Sequence, residues 1–241
     1  MAIELPKERT KADSQSPKRL FIYSSPKSGK TTAVAMLDDC LLLDLEDGAG
    51  FVDAMKIKIS NLQELREVIK EVKKAGNPYK YGAIDTTTKL EEMVIPLAND
   101  LYRNTQMGKD WEGDSVLTLP RGSGYLYLRK AYQQVMSALD GCFERVIYLG
   151  HLKDTSLSKE GKEVSVKDID LTGKLKNITC ASTDAIAYMY RHENQTIMSF
   201  QTGEDVISGA RPTHLRNKDI VILESDEAEN ITSHWDKIYI D

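Results

Sequence analysis

An α/β fold with a mainly parallel sheet is what this sequence of 241 residues predicts, and three observations lead there. Apolar runs recur along the chain, at 20–23, 40–43, 81–84 and 146–149. Such runs suit strands buried on both faces of a parallel sheet. Segments of helical periodicity lie between them, as strand–helix–strand units require. Two runs also end in a carboxylate, Asp44 and Asp85, at the strand ends where open α/β sheets hold ligands.

The first run leads into the most specific motif. Leu20-Phe21-Ile22-Tyr23 passes through Ser24 to Ser25, Pro26, Lys27, Ser28, Gly29, Lys30, Thr31 and Thr32, and then to a helical pattern of Ala33, Val34, Met36 and Leu37. Strand, small-residue turn, Gly-Lys-Thr-Thr and helix make a phosphate-binding P-loop, whose successive backbone N–H groups converge on the β- and γ-phosphates. Lys30 is placed to reach those phosphates, and the Thr31 hydroxyl to complete a Mg²⁺ shell. The departure from the pattern is Ser24, which stands where the first glycine is usual; a small residue can make the same turn.

The run at 40–43 leads into Asp44-Leu45-Glu46-Asp47-Gly48, a carboxylate cluster at a strand end. Glu46 is a candidate for orienting or deprotonating a water that attacks the γ-phosphate, and strand-end capping is the alternative. Leu62, Leu65, Val68, Ile69 and Val72 repeat at helical spacing until Gly76-Asn77-Pro78 stops them. The run at 81–84 ends in Asp85, the Walker-B arrangement, in which the carboxylate holds Mg²⁺ through a water or by way of Thr31. Amphipathic helices follow over 90–101 and 126–139, separated by a Gly-, Asp- and Ser-rich stretch over 108–124. The strand at 146–149 is followed by His151, a polar side chain placed to sense a γ-phosphate. A hairpin is predicted over 154–170 around Ser158-Lys159-Glu160-Gly161, and antiparallel strands at 185–190, 196–200 and 220–223. The expected organisation is a mobile leader over 1–18 and a single domain over 19–241, with an antiparallel extension from about 184.

Composition narrows the classes. The net charge is −5, so a nucleic-acid footprint must be local. No apolar run approaches the ~20 residues of a membrane span, and residues 1–18 lack a secretory apolar core. Cys40, Cys142 and Cys180 are read as buried free thiols of a reducing, cytoplasmic setting.

Taken together, the strand with its P-loop, the strand ending Asp44-x-Glu46, the strand ending in Asp85 and the strand followed by a polar residue resemble the RecA-like ATPase core. In particular they resemble the small bacteriophage ATPases of single-strand annealing and recombination modules, over roughly 19–191. The resemblance implies Mg-dependent ATP hydrolysis coupled to single-stranded DNA, a ring or filament of identical subunits, a single-strand DNA-binding protein among the partners, and the cytoplasm of an infected host. It places Lys30 and Glu46 in catalysis, Thr31 and Asp85 at the metal, and His151 as sensor. It implies DNA-binding loops over 108–124 and 153–173, with Lys109, Trp111, Arg121, Tyr125, Lys153, Lys159 and Lys162 as candidates, although both loops mix acids with bases. Lys174 and Lys176 fall where some members reach a neighbouring subunit's nucleotide. Arg211 is a candidate for packing on the adenine or reaching an adjacent subunit's phosphates, and equally an arginine on an exposed turn. ATP is the default nucleotide, since no base-reading motif is visible. Two other readings stay open: a nucleotide-gated interaction module with little turnover, and a nucleotide kinase, disfavoured because the segment from Leu149 to Arg191 has no arginine-rich lid.

Overall fold

Leu20, Phe21, Ile22 and Tyr23 are fully buried, as are Leu41–Leu43 and Val146–Leu149 to within a few per cent, and these runs form the centre of one sheet. The computed structural model describes residues 5, 7–12, 14–159, 162–228 and 230–241, with side chains over 156–159 and 162–164 left aside. The elements are β1 (Arg19–Ser24), α1 (Lys30–Ala35), β2 (Cys40–Asp44), β3 (Met55–Lys58), α2 (Leu62–Lys74), β4 (Tyr81–Asp85), α3 (Thr87–Met93), α4 (Ile95–Arg103), α5 (Gly124–Asp140), β5 (Arg145–Lys159), β6 (Lys162–Ile169), α6 (Lys174–Ser182), β7 (Ala185–His192), β8 (Gln195–Ser199), β9 (Gly209–Ala210), β10 (Asp219–Ser225) and β11 (Ile231–Ser233).

The strand order is β3-β2-β4-β5-β1-β7-β8-β10-β11, with β6 paired to β5 and β9 to β7. From β3 to β7 every pairing is parallel; β8, β10 and β11 add on antiparallel. The chain is therefore α/β, mainly parallel, with an antiparallel extension. That extension begins one strand later than the expected 184, because β7 runs parallel to β1. The connection that allows this is α6, absent from the sequence reading, which supplies the crossover a parallel neighbour needs.

Opposite sheet faces carry two apolar layers. Phe21, Tyr23, Leu43, Ile84 and Tyr148 meet α2, α3, α4 and α5 on one side. Leu20, Ile22, Leu42, Ala83 and Ile147 meet α1 and the C-terminal segment on the other. Gly82 in β4 is dictated by packing, since a Cβ there would lie 2.3 Å from the Phe143 ring. The predicted helix over 90–101 is two helices, α3 and α4, which meet at Val94 with Pro96 in the first turn of α4. β3 escaped the sequence reading because its four residues are all exposed; its two lysines guard an open sheet edge.

The C-terminal segment clamps the helix behind the P-loop. The Trp235 indole donates to the Ala33 carbonyl at 2.8 Å and stacks on Tyr239 at 5.8 Å. Asp241 pairs with Arg145 at 2.8 Å, and the Ile240 N–H donates to the Ser16 hydroxyl. Ser16 and Pro17 are buried, so the expected mobile leader does not extend to them. Cys40 and Cys142 are buried as expected, and burial raises the Cys40 thiol to about 12; Cys180 is only half-buried.

Candidate functional site

The carboxyl ends of β1, β2 and β4 lie side by side next to His151, which falls within β5 rather than past its end, because β5 continues into the hairpin. Ser24 is in register with His151, and Asp44 with Asp85. In the P-loop, Lys27 and Gly29 have positive φ, 63° and 96°, which turns the backbone through the tight loop before α1. Lys30 is buried, and its ammonium donates to the carbonyls of Ser24 and Ser25, each at 3.2 Å, and to the Ser24 hydroxyl at 2.9 Å. Ser24, in the place of the usual glycine, thus helps hold the lysine inside the loop. Burial lowers the Lys30 pKa, with Asp85 and Glu46 opposing. Ser25, Pro26 and Lys27 stay exposed around the loop, and Ser28 is half-buried.

Thr31 Oγ1 donates to Asp85 Oδ2 at 2.6 Å. Burial pushes the Asp85 carboxyl up, and the Thr31 hydrogen bond works against that. One buried carboxylate beside one hydroxyl is a hard-oxygen donor set. It suits Mg²⁺, which keeps several waters and takes its other ligands from phosphates rather than from an all-protein cage. Among the described residues no group of three or more His, Cys, Asp or Glu side chains forms a metal cluster.

Asp44 builds the loop that presents Glu46. Its carboxylate accepts the N–H groups of Glu46, Gly48 and Ala49 at 3.2, 3.1 and 2.9 Å, so its role is structural. Glu46 itself is held from the middle of β5 and from the end of β4. His151 Nε2 lies 2.9 Å from Oε1 and 3.1 Å from Oε2, and Thr86 Oγ1 donates to Oε1. The His151 hydrogen bond keeps the Glu46 carboxyl below its ordinary value, with Thr86 helping and burial opposing. The same contact raises the histidine. A carboxylate kept ionised there has lone pairs that can accept a hydrogen bond from water.

A second feature lies at the amino ends of α5 and α6. Arg121, Gly122, Tyr125, Leu128, Arg129, Thr172, Gly173, Lys174 and Leu175 line a concavity of about 450 Å³ with three cations and no carboxylate. Gly124 lets α5 press against the turn before it, since a Cβ there would meet the Val116 carbonyl at 1.6 Å. The structure therefore joins Arg121, Tyr125 and Lys174, drawn from separate loops of the sequence. Arg129, one helical turn after Tyr125, was missed by the sequence reading, although that spacing was a usable signal. Thr86 was missed too; its adjacency to Asp85 was the only sign.

Other candidates are placed elsewhere. Trp111 sits edge-on to Tyr102 at 5.3 Å, with the Arg103 guanidinium over its ring, so it anchors its insert to the core rather than offering a free stacking face. Lys109 is exposed outside the cleft. Lys153 pairs with Asp170 at 3.6 Å, and Lys176 with Asp168. The Lys159 and Lys162 side chains, and the hairpin tip at Glu160 and Gly161, lie outside the described residues. Arg211 bonds Asp184 and the Ala181 carbonyl beside the start of β1, whereas the P-loop follows its end. It does not contribute to its own subunit's phosphate loop, because the turn carrying it is tied to the amino edge of the sheet.

Lys30, Thr31 and Asp85 converge at the carboxyl edge of a mainly parallel sheet, and a fold that brings them together there is that of a P-loop NTPase. A family model described as an AAA domain matches residues 16–215, and the chain belongs to that family. No curated protein matches it. Among solved structures, the chain is similar to that titled crystal structure of the RadB recombinase, at 12% identity over 91% of this chain and 92% of that one, with a TM-score of 0.47. That distant likeness bears on neither activity nor ligand.

Proposed function

We propose that this protein is a Mg-dependent ATPase whose turnover is coupled to single-stranded DNA, acting in recombination or annealing of the bacteriophage type. The observation that carries the hydrolytic reading is Glu46, ionised and pinned by His151 and Thr86 beside the buried Lys30. In this reading the P-loop amides and Lys30 bind the β- and γ-phosphates, and Glu46 takes a proton from the attacking water. Mg²⁺, held by Thr31 and by Asp85, would neutralise charge on the phosphate oxygens.

The DNA half of the proposal rests on the acid-free cleft. Arg121, Arg129 and Lys174 suit backbone phosphates, and Tyr125, 39% exposed, suits a stacked base. The cleft is wired to the nucleotide site. The Asp170 N–H donates to the His151 carbonyl at 3.0 Å, and the Thr172 N–H donates to Glu91 of α3 at 3.1 Å. β5 is one strand from the sheet centre through His151 into the hairpin. A γ-phosphate that shifts His151 therefore pulls on the segment leading into the cleft, an order–disorder coupling of known kind.

The test is ATP hydrolysis with and without single-stranded DNA, alongside Lys30→Ala. Stimulation by DNA, abolished together with nucleotide binding in the variant, supports the proposal. DNA-blind turnover, with no DNA binding at low salt, overturns the coupling. The net charge of −5 favours a second reading, a nucleotide-gated module that binds a protein and turns over little. An equal, near-zero turnover for wild type and Glu46→Gln would select it.

A further inference from the structure

Thr86 is almost fully buried and makes two hydrogen bonds with opposite sense. Its hydroxyl oxygen accepts the Lys89 N–H at 3.3 Å, capping α3, and its hydroxyl proton is donated to Glu46 Oε1. A hydroxyl has one proton. With the amide N–H facing the Thr86 oxygen, that proton is committed to the carboxylate. Oε1 therefore carries two donors, Thr86 Oγ1 and His151 Nε2, whereas Oε2 carries only the longer 3.1 Å contact to His151. The two oxygens of the proposed base are chemically distinct, and the neighbour of the Walker-B aspartate makes them so.

We propose that Thr86 is a positioning residue that locks the Glu46 carboxylate through Oε1 and reserves Oε2 for the attacking water. This rests on the hydrolytic reading above. The anchor is rigid on both sides. Thr86 directly follows β4, and the next residue, Thr87, is buried with its hydroxyl donated to the Leu149 carbonyl of β5 at 3.0 Å. Asp44 fixes the loop on which Glu46 rides. Without the Thr86 donor the carboxylate is free to turn about its last torsion, a broad and soft one, and to present either oxygen to His151. The proton acceptor is then in the right place only part of the time, which lowers the rate of the chemical step and leaves phosphate binding by Lys30 and the loop untouched.

The experiment compares Thr86→Val, which is close in shape and lacks the hydroxyl, with Thr86→Ser, which keeps donor and cap. ATP turnover and nucleotide dissociation constants are measured for both, with Glu46→Gln in parallel. The expected result is a fall of about 10- to 100-fold in kcat for Thr86→Val, the value of one hydrogen bond to a charged group, with nucleotide affinity unchanged. Thr86→Ser restores turnover. Loss of the α3 cap alone lowers stability without this split, so thermal unfolding measured on each variant separates the two. Wild-type kcat in a folded Thr86→Val, or a Thr86→Ser as impaired as the valine variant, overturns the proposal. Should Thr86→Val not fold, Thr86→Ala is measured in its place, with the same two outcomes. Failure of the hydrolytic reading shows differently, as a Glu46→Gln enzyme that turns over like wild type.

Discussion

Glu46→Gln isolates the proposed chemistry from binding and folding. The substitution keeps the size of the side chain, and its amide oxygen can still accept from Thr86, but it cannot take a proton from water. Loss of a positioned general base costs about 10²–10⁴ in rate, or roughly 2.7–5.4 kcal/mol of barrier. The effect on folding is far smaller. Glu46 and His151 are 33% and 26% exposed, and a partly exposed pair of that kind contributes under about 1 kcal/mol. Lys30 and the loop amides are untouched, so nucleotide affinity holds. The assay is steady-state phosphate release with saturating Mg-ATP, with nucleotide affinity and thermal unfolding measured on the same preparation. A fall in kcat of less than about tenfold, under ~1.4 kcal/mol, refutes the assignment of Glu46 as base.

Stability should vary with pH through the same pair. His151 is raised, so its contribution is complete below its unfolded value near 6.5 and is lost as pH rises through the folded one; Glu46 is lowered, so its contribution is complete above 4.5 and is lost as pH falls through the folded one. The pair stabilises most between 4.5 and 6.5, and denaturant titrations of His151→Ala should show that local maximum flattened. Arg129→Ala should weaken single-stranded DNA binding and reduce its salt slope by about 1, measured by fluorescence anisotropy at several salt concentrations. Tyr125→Ala should cost about 1–3 kcal/mol of DNA affinity with the salt slope kept. Trp235→Ala removes the buried indole that bonds the Ala33 carbonyl, and should cost about 3–5 kcal/mol in urea unfolding. Because α1 carries Lys30, nucleotide binding should weaken along with it.

How much of this was legible follows from the range of the forces. β1, β2 and β4 could be read directly, since a strand buried on both faces must be apolar throughout and Asp44 and Asp85 end two such runs. The P-loop could be read for a similar reason: Gly29 and Lys30 act through backbone shape and a single side chain, within a few residues of chain. β3 and α6 were not visible. β3 is exposed at a sheet edge and carries no apolar pattern, and α6 is needed only because β7 returns parallel to β1, a demand of topology.

By itself the amino-acid order determined an α/β phosphate-binding domain and the residues that can grip a triphosphate, because those features arise from near neighbours in the chain. Tertiary structure alone decided which distant groups meet. It tied Glu46 to His151 and Thr86 across three strands, gathered Arg121, Tyr125, Arg129 and Lys174 into one cleft, and sent Arg211 to the opposite edge. Contacts between residues dozens of positions apart depend on strand order and register, and no local pattern encodes those.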